Sequence, residues 1–208
     1  MPAITRPLAG IASTGTSMAV DATSNLSSDI TEASDSAQKF ASTLNFAGLD
    51  TNTIDQLTAS TQKYADQTVY DLSDIRNTTA QLAANSVDNY ANLAEAAGNL
   101  NAVAGGNADT FKSVGMVLTQ TAGAGKLTTE NWNQLSDAIP GASGKLQEAM
   151  KKNGAYTGDF RDAMAKGEIT AEEFNKAVMD LGMTDAAKEA ATSTQTIEGA
   201  MGNLEASV

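Results

Sequence analysis

From Leu26 onward, apolar side chains recur at intervals of three and four, and Gly or Pro cuts the pattern into short runs. That spacing places apolar groups on one face of a helix, whereas a strand needs strict alternation. Alternation does not persist beyond a few residues anywhere in the chain. The expected fold is therefore all-α. Short amphipathic helices form a multi-helix domain, flanked at both ends by longer helices with coiled-coil-like spacing.

The organisation follows from where the pattern starts and stops. Residues 1–21 carry Pro2, Pro7, Gly10 and Gly15 without a period and read as a flexible leader. Residues 22–46 carry Leu26, Ile30, Ala33, Ala37, Phe40 and Leu44, spaced 4, 3, 4, 3, 4. This is a heptad seam of under three repeats, equally compatible with an ordinary amphipathic helix. Residues 47–183 form the central helical domain. Gly48 and Asp50 break the first helix, and the next runs from about Asn52 to Asp66 with Ile54, Leu57 and Tyr64 on one side. Further helices start near Asp71, with Leu72, Ile75, Thr79 and Leu82, and near Val87, with Tyr90, Leu93, Ala94, Ala97, Leu100 and Val103. Gly105 and Gly106 stop the latter. Asn107 is placed to cap a helix bearing Phe111, Val114 and Leu118, which the segment Gly123–Gly125 ends. Residues 184–208 begin a continuing helix with the seam Ala187, Ala190, Thr194, Ile197, Met201, Leu204 and Val208. The seam reaches the last residue without a stop signal, so the expectation is a piece of a longer protein.

Two stretches look alike. Gly125-Lys-Leu-Thr-Thr-Glu-Asn-Trp-Asn matches Gly167-Glu-Ile-Thr-Ala-Glu-Glu-Phe-Asn at an offset of 167 − 125 = 42 residues. Each has a glycine, an apolar anchor (Leu127, Ile169), a Thr in N-cap position (Thr128, Thr170) and an aromatic (Trp132, Phe174). Thr170 and Glu173 have capping-box spacing, while Asn131 replaces the acid after Thr128. Trp132, Leu135 and Ile139 share one helix face, and Phe174, Val178 and Leu181 another; Pro140 and Gly182 end these helices. Two short helices, near Gly144–Lys152 and Thr157–Lys166, lie between them. The pattern fits a degenerate helix-loop-helix duplication, or two independent good helix starts. Trp132, the single tryptophan, is expected in the core rather than at a partner interface.

Composition removes several function classes. The formal charge is −12, so binding nucleic acid by neutralising phosphates is disfavoured. Cysteine and histidine are both absent, which removes thiolate chemistry, the commonest general base and the commonest neutral metal ligand. No apolar run reaches the ~18 residues of a membrane span. The apolar fraction is 41%, much of it alanine, which points to a thin core spread along helices.

Three motifs tempt and fail. Gly123-Ala-Gly125-Lys126 resembles the end of a phosphate-binding loop, but Gln120 stands where the first Gly belongs and Leu127 where Ser or Thr would hold magnesium. The segment around Gly167 resembles half a calcium loop, with Asp162, Met164 and Lys166 in its first three ligand positions; Met and Lys offer no hard oxygen. The first copy has Gln120, Ala122 and Ala124 there and fails likewise. Paired carboxylates could cut a glycosidic bond, but Asp29, Glu32, Asp35, Asp71, Asp74, Glu130, Glu172 and Glu173 sit at helix starts or on polar faces. No catalytic, cofactor-binding or metal-binding residue is assigned, and no cofactor is expected.

From Gly48 to about Ala206 the chain resembles the N-terminal domain of phage tail tape-measure proteins. The resemblance is carried by Asp74-Ile-Arg-Asn-Thr-Thr-Ala-Gln-Leu82, by Phe111-Lys-Ser-Val-Gly-Met-Val-Leu-Thr-Gln-Thr-Ala-Gly-Ala-Gly-Lys-Leu127, by Asn131-Trp-Asn-Gln-Leu-Ser-Asp-Ala-Ile-Pro-Gly141 and by Phe160-Arg-Asp-Ala-Met-Ala-Lys-Gly167. Residues 1–45 are outside it or loosely like it. It implies a structural virion component, not an enzyme: a helical chain in the tail lumen that sets tail length, templates tail tube assembly and is expelled when DNA is injected. The implied partners are tail tube and tail assembly chaperone proteins, with self-association through helices of the full-length protein. The implied locations are the virion tail and, during assembly, the bacterial host cytoplasm. Neither nucleic-acid binding nor membrane contact is expected. Two rival classes share parts of the pattern: a secreted helical filament subunit, and a tail-associated peptidoglycan hydrolase domain with one buried Glu.

Overall fold

The computed structural model describes residues 24–193, with side chains described from Asp35 onward. The leader expected over 1–21 and the seam positions from Thr194 to Val208 lie outside the described residues. The helices are α1 (Ser24–Phe46), α2 (Thr51–Gln67), α3 (Leu72–Ala84), α4 (Tyr90–Val103), α5 (Ala108–Ala124), α6 (Thr129–Ala138), α7 (Pro140–Lys152), α8 (Phe160–Ala165) and α9 (Ala171–Gly182). A further helix, α10, occupies 185–193 within the described residues. No strand occurs among the described residues; two segments meet in an isolated antiparallel bridge between Lys126 and Thr170. The protein is all-α. It divides into two compact units, Met1–Ser42 and Thr43–Val208.

Local chemistry sets most of the boundaries. Gly48 (φ 94°) closes α1 in a left-handed turn, where Gly48 N–H reaches Asn45 O and Leu49 N–H reaches Leu44 O. This satisfies carbonyls that a helix end otherwise leaves open. Asp50 then caps α2 by accepting from Thr53 N at 2.7 Å. Asn107 and Thr110 form a reciprocal capping box on α5, as do Thr170 and Glu173 on α9. Thr128 caps α6 through Asn131 N.

Four details differ from the sequence expectation. The helix expected from Gly144 begins at Pro140. Proline is tolerated in the first turn, where its missing N–H has no partner to lose, so Pro140 opens α7 as well as ending α6. The helix expected from Thr157 begins at Phe160, because Asp159 caps it through Asp162 N. Val87 precedes α4 rather than joining it: Ser86 (φ 58°) and Asn89 (φ 55°) both turn left-handed between α3 and α4. Val103, on the expected apolar stripe, is 46% exposed.

The centre of the Thr43–Val208 unit is α4. It packs against α3, α5 and α9, and α9 also packs against α5 and α7. Residues Leu93, Ala94, Ala96, Ala97, Gly98, Asn99, Leu100 and Asn101 are all buried, so α4 is covered on nearly every side, with Glu95 half-buried among them. Small side chains allow that closeness: a Cβ at Gly182 would overlap the Ala96 carbonyl. Around this axis lie Phe111, Val114, Leu118, Trp132, Leu135, Leu146, Phe160 and Phe174, in one contiguous core. Trp132 is 1% exposed and meets Phe160 edge to face at 4.7 Å. Burying one such side chain contributes roughly 1.5–3 kcal/mol.

Candidate functional site

The two look-alike loops come together. Leu127 N–H donates to Ile169 O at 2.9 Å, and Ala171 N–H to Gly125 O at 3.1 Å. The anchors Leu127 and Ile169 are both fully buried. Gly125 (φ 76°) and Gly167 (φ 70°) take the same left-handed turn before each bridge. The α5–α6 and α8–α9 units thus pair loop to loop, which favours the duplication reading over two unrelated helix starts.

The paired loops do not assemble ligands. Met164 is buried in the core while Asp162 and Lys166 are exposed. Glu173 is committed to its cap, accepting from Thr170 N at 3.0 Å. At the phosphate-loop look-alike, Gly125 is the C-cap of a helix, its N–H bonded to Thr121 O, and the Lys126 side chain lies over Gly167. Among the described residues no group of three or more Asp and Glu is placed to hold a metal ion, and no helix is long and apolar enough to cross a membrane.

A buried polar relay, which the sequence reading missed, surrounds α4. Tyr64 Oη donates to Asn99 Oδ1 at 2.7 Å, and Asn99 Nδ2 donates to Gly182 O at 3.0 Å. Tyr70 Oη donates to Gly98 O at 2.6 Å and accepts from Asn101 Nδ2 at 2.9 Å. Asn101 Oδ1 accepts from Thr110 Oγ1, tying the relay to the α5 capping box. Arg76, buried on α3, donates to Thr61 Oγ1 and Thr58 O on α2. Burial pushes the Tyr64 phenol well above its ordinary value and Tyr70 up to about 12, so both remain neutral donors at any physiological pH. The sequence signal was Asn99 and Asn101 inside an otherwise Ala/Leu-rich helix, where a buried amide must find partners.

Glu95 departs from the expectation that the carboxylates sit at helix starts or on polar faces. It is half-buried in α4, and burial raises its carboxyl above the ordinary range, against the pull of Lys63 on α2 and Lys188 on α10. The charged groups that act on it among the described residues are the ammonium groups of Lys63 and Lys188.

Among the described residues an open concavity of ≈350 Å³ lies between the Ser86–Asn89 turn and α9, with Leu93 and Met179 in its lining. Asn175 Oδ1, also in its wall, has no hydrogen-bond partner. Phe46, at the end of α1, is 90% exposed, and Met116 is half exposed.

A search of curated proteins and of solved structures found no significant match. A family model described as tape measure protein matches residues 28–208. The match covers the loop pair and the α4 hub, and begins upstream of Gly48, so the family likeness takes in most of α1 as well. A paired-loop helical domain with a sealed polar core, matched over nearly its whole length, belongs to the tape measure protein family, whose role is structural and in the phage tail.

Proposed function

We propose that this chain is the part of a tape measure protein that sets tail length, templates tail tube assembly and leaves the tail when DNA is injected. The observation that carries this is the family match over residues 28–208. In this reading residues 47–183 act as a preformed head domain, between a leader and first helix (1–21 and 22–46) and a helix that starts at 184 and continues. Its partners are the tail tube and tail assembly chaperone proteins, and further copies of itself through the seam of α10. It works in the host cytoplasm during assembly and then in the tail lumen. In this reading it acts as a structural part of the tail and not as an enzyme, and needs no cofactor. A net charge of −12 suits a filler that lies ahead of DNA without binding it.

Peptide mass spectrometry on purified virions, before and after DNA ejection, tests this. The expected result is peptides of this chain in full particles and their loss from emptied ones. Equal recovery from both would overturn the expulsion, and absence from full particles would overturn the virion role.

A further inference from the structure

Asn153-Gly154 is the single Asn-Gly step in the chain. The side-chain amide of an asparagine is open to attack by the backbone nitrogen of the next residue, and glycine, with no Cβ, hinders that attack least. Both residues are exposed to water at the end of α7.

The fold holds each reacting group. Asn153 has ψ −2°, which turns the Gly154 nitrogen away from the Asn153 side chain, whereas ring closure needs the two on the same side of the Cα–C bond. Gly154 (φ 83°) N–H donates to Lys151 O at 3.1 Å, and Ala155 N–H to Met150 O at 2.9 Å, so the attacking nitrogen is tied into a glycine cap. Buried Ala155 and Tyr156 pin the chain just beyond it. From α9, Asp180 Oδ2 accepts from Asn153 Nδ2 at 2.8 Å, and Lys176 Nζ lies 3.2 Å from the same oxygen.

We propose that Asn153 is a deamidation site latched by α9: the Asp180 carboxylate and the glycine cap hold it unreactive, and its conversion loosens the end of α7 from α9. In the reaction Gly154 N gives its proton to hydroxide and bonds to Asn153 Cγ. The Cγ–Nδ2 bond breaks, and Nδ2 takes a proton from water and leaves as ammonia. Water then opens the cyclic imide at one of its two carbonyls, leaving isoaspartate or aspartate at 153. The reaction proceeds only from a form in which the last turn of α7 has opened, so its rate follows that local opening. The product sets a carboxylate where an amide N–H met Asp180. One ammonium, Lys176, then faces two carboxylates, and a charge-assisted hydrogen bond has become a repulsion.

The test incubates the 208-residue chain in mildly alkaline buffer and follows each asparagine by peptide mass spectrometry. Asn153 is expected to convert first, to a mixture of aspartate and isoaspartate. Asp180 is exposed, so its variants keep the core intact. Asp180→Ala removes the latch and is expected to speed conversion roughly three- to tenfold, the worth of one such hydrogen bond. Asp180→Asn keeps an acceptor and should stay near the parent rate. Conversion at the other asparagines should be unchanged in Asp180→Ala, which separates local opening from general destabilisation. Asn153→Asp, the product mimic, should lower the urea midpoint. Another asparagine converting first would overturn the site. A rate at Asn153 unmoved in Asp180→Ala, or raised equally at all asparagines, would overturn the latch. A midpoint unchanged in Asn153→Asp would overturn the loosening.

Discussion

Tyr64 Oη and Asn99 Oδ1 stand 2.7 Å apart across 35 residues of sequence, and the same Asn99 amide holds the carbonyl of Gly182. One buried side chain thus joins α2, α4 and the end of α9. Inside a protein an amide that satisfies two partners is costly to remove, since each partner is left desolvated and unpaired. Asn99→Ala is expected to destabilise the protein by about 1–3 kcal/mol, more than Tyr64→Phe, which removes one end of the relay and leaves Gly182 bonded. Urea midpoints of the two variants, compared with the parent, check the order.

Trp132→Ala is expected to cost about 3–5 kcal/mol, as for a large aromatic deleted from a sealed core. The loss includes the edge-to-face contact with Phe160. A denaturant midpoint unchanged within error would place Trp132 outside the core.

Gly125 and Gly167 hold the two bridged loops at φ 76° and 70°. Alanine at either position is expected to cost about 1–2 kcal/mol, the penalty of a Cβ in the left-handed region. Gly144→Ala, in a helix with open space around the added Cβ, is the control and should be neutral or slightly stabilising. Thermal unfolding of the three variants tests the contrast.

Much of this was legible from the chain. The caps Asn107, Thr128 and Thr170, the anchors Leu127 and Ile169 and the core faces of Trp132 and Phe174 follow from short-range spacing, because capping and amphipathicity are local physics. What escaped depends on distant partners. Asn99 and Asn101 read as ordinary polar residues until Tyr64, Tyr70 and Thr110 arrive from other helices. Pro140 reads as a stop, and only the bend at Ile139 (φ −132°, ψ 71°) shows that it also starts α7. The heptad spacing of Ala187 and Ala190 is the same for a seam facing a second copy and for one covered by its own chain.

Asp74, in the first turn of α3, has its carboxyl raised above the ordinary range, first by burial; Lys112 at 3.9 Å pulls it down, while Asp71 and Asp109 push it up. A raised folded-state value means the contribution is fully present below the unfolded value and is lost as pH rises through the folded one. Asp74→Asn is therefore expected to flatten that decline and to be relatively more stable at neutral pH than in acid, compared with the parent. Thermal midpoints across the mildly acidic range check the sign; a steeper decline in the variant would reverse it.

The central claim is that this protein measures the tail. The direct measurement is tail length by electron microscopy in phage whose tape measure protein carries in-frame helical insertions beyond residue 193. Tail length is expected to rise in proportion to the insertion, by about 1.5 Å per residue if the added segment lies helical along the tube. Tails that assemble at unchanged length over a series of insertions would contradict the claim.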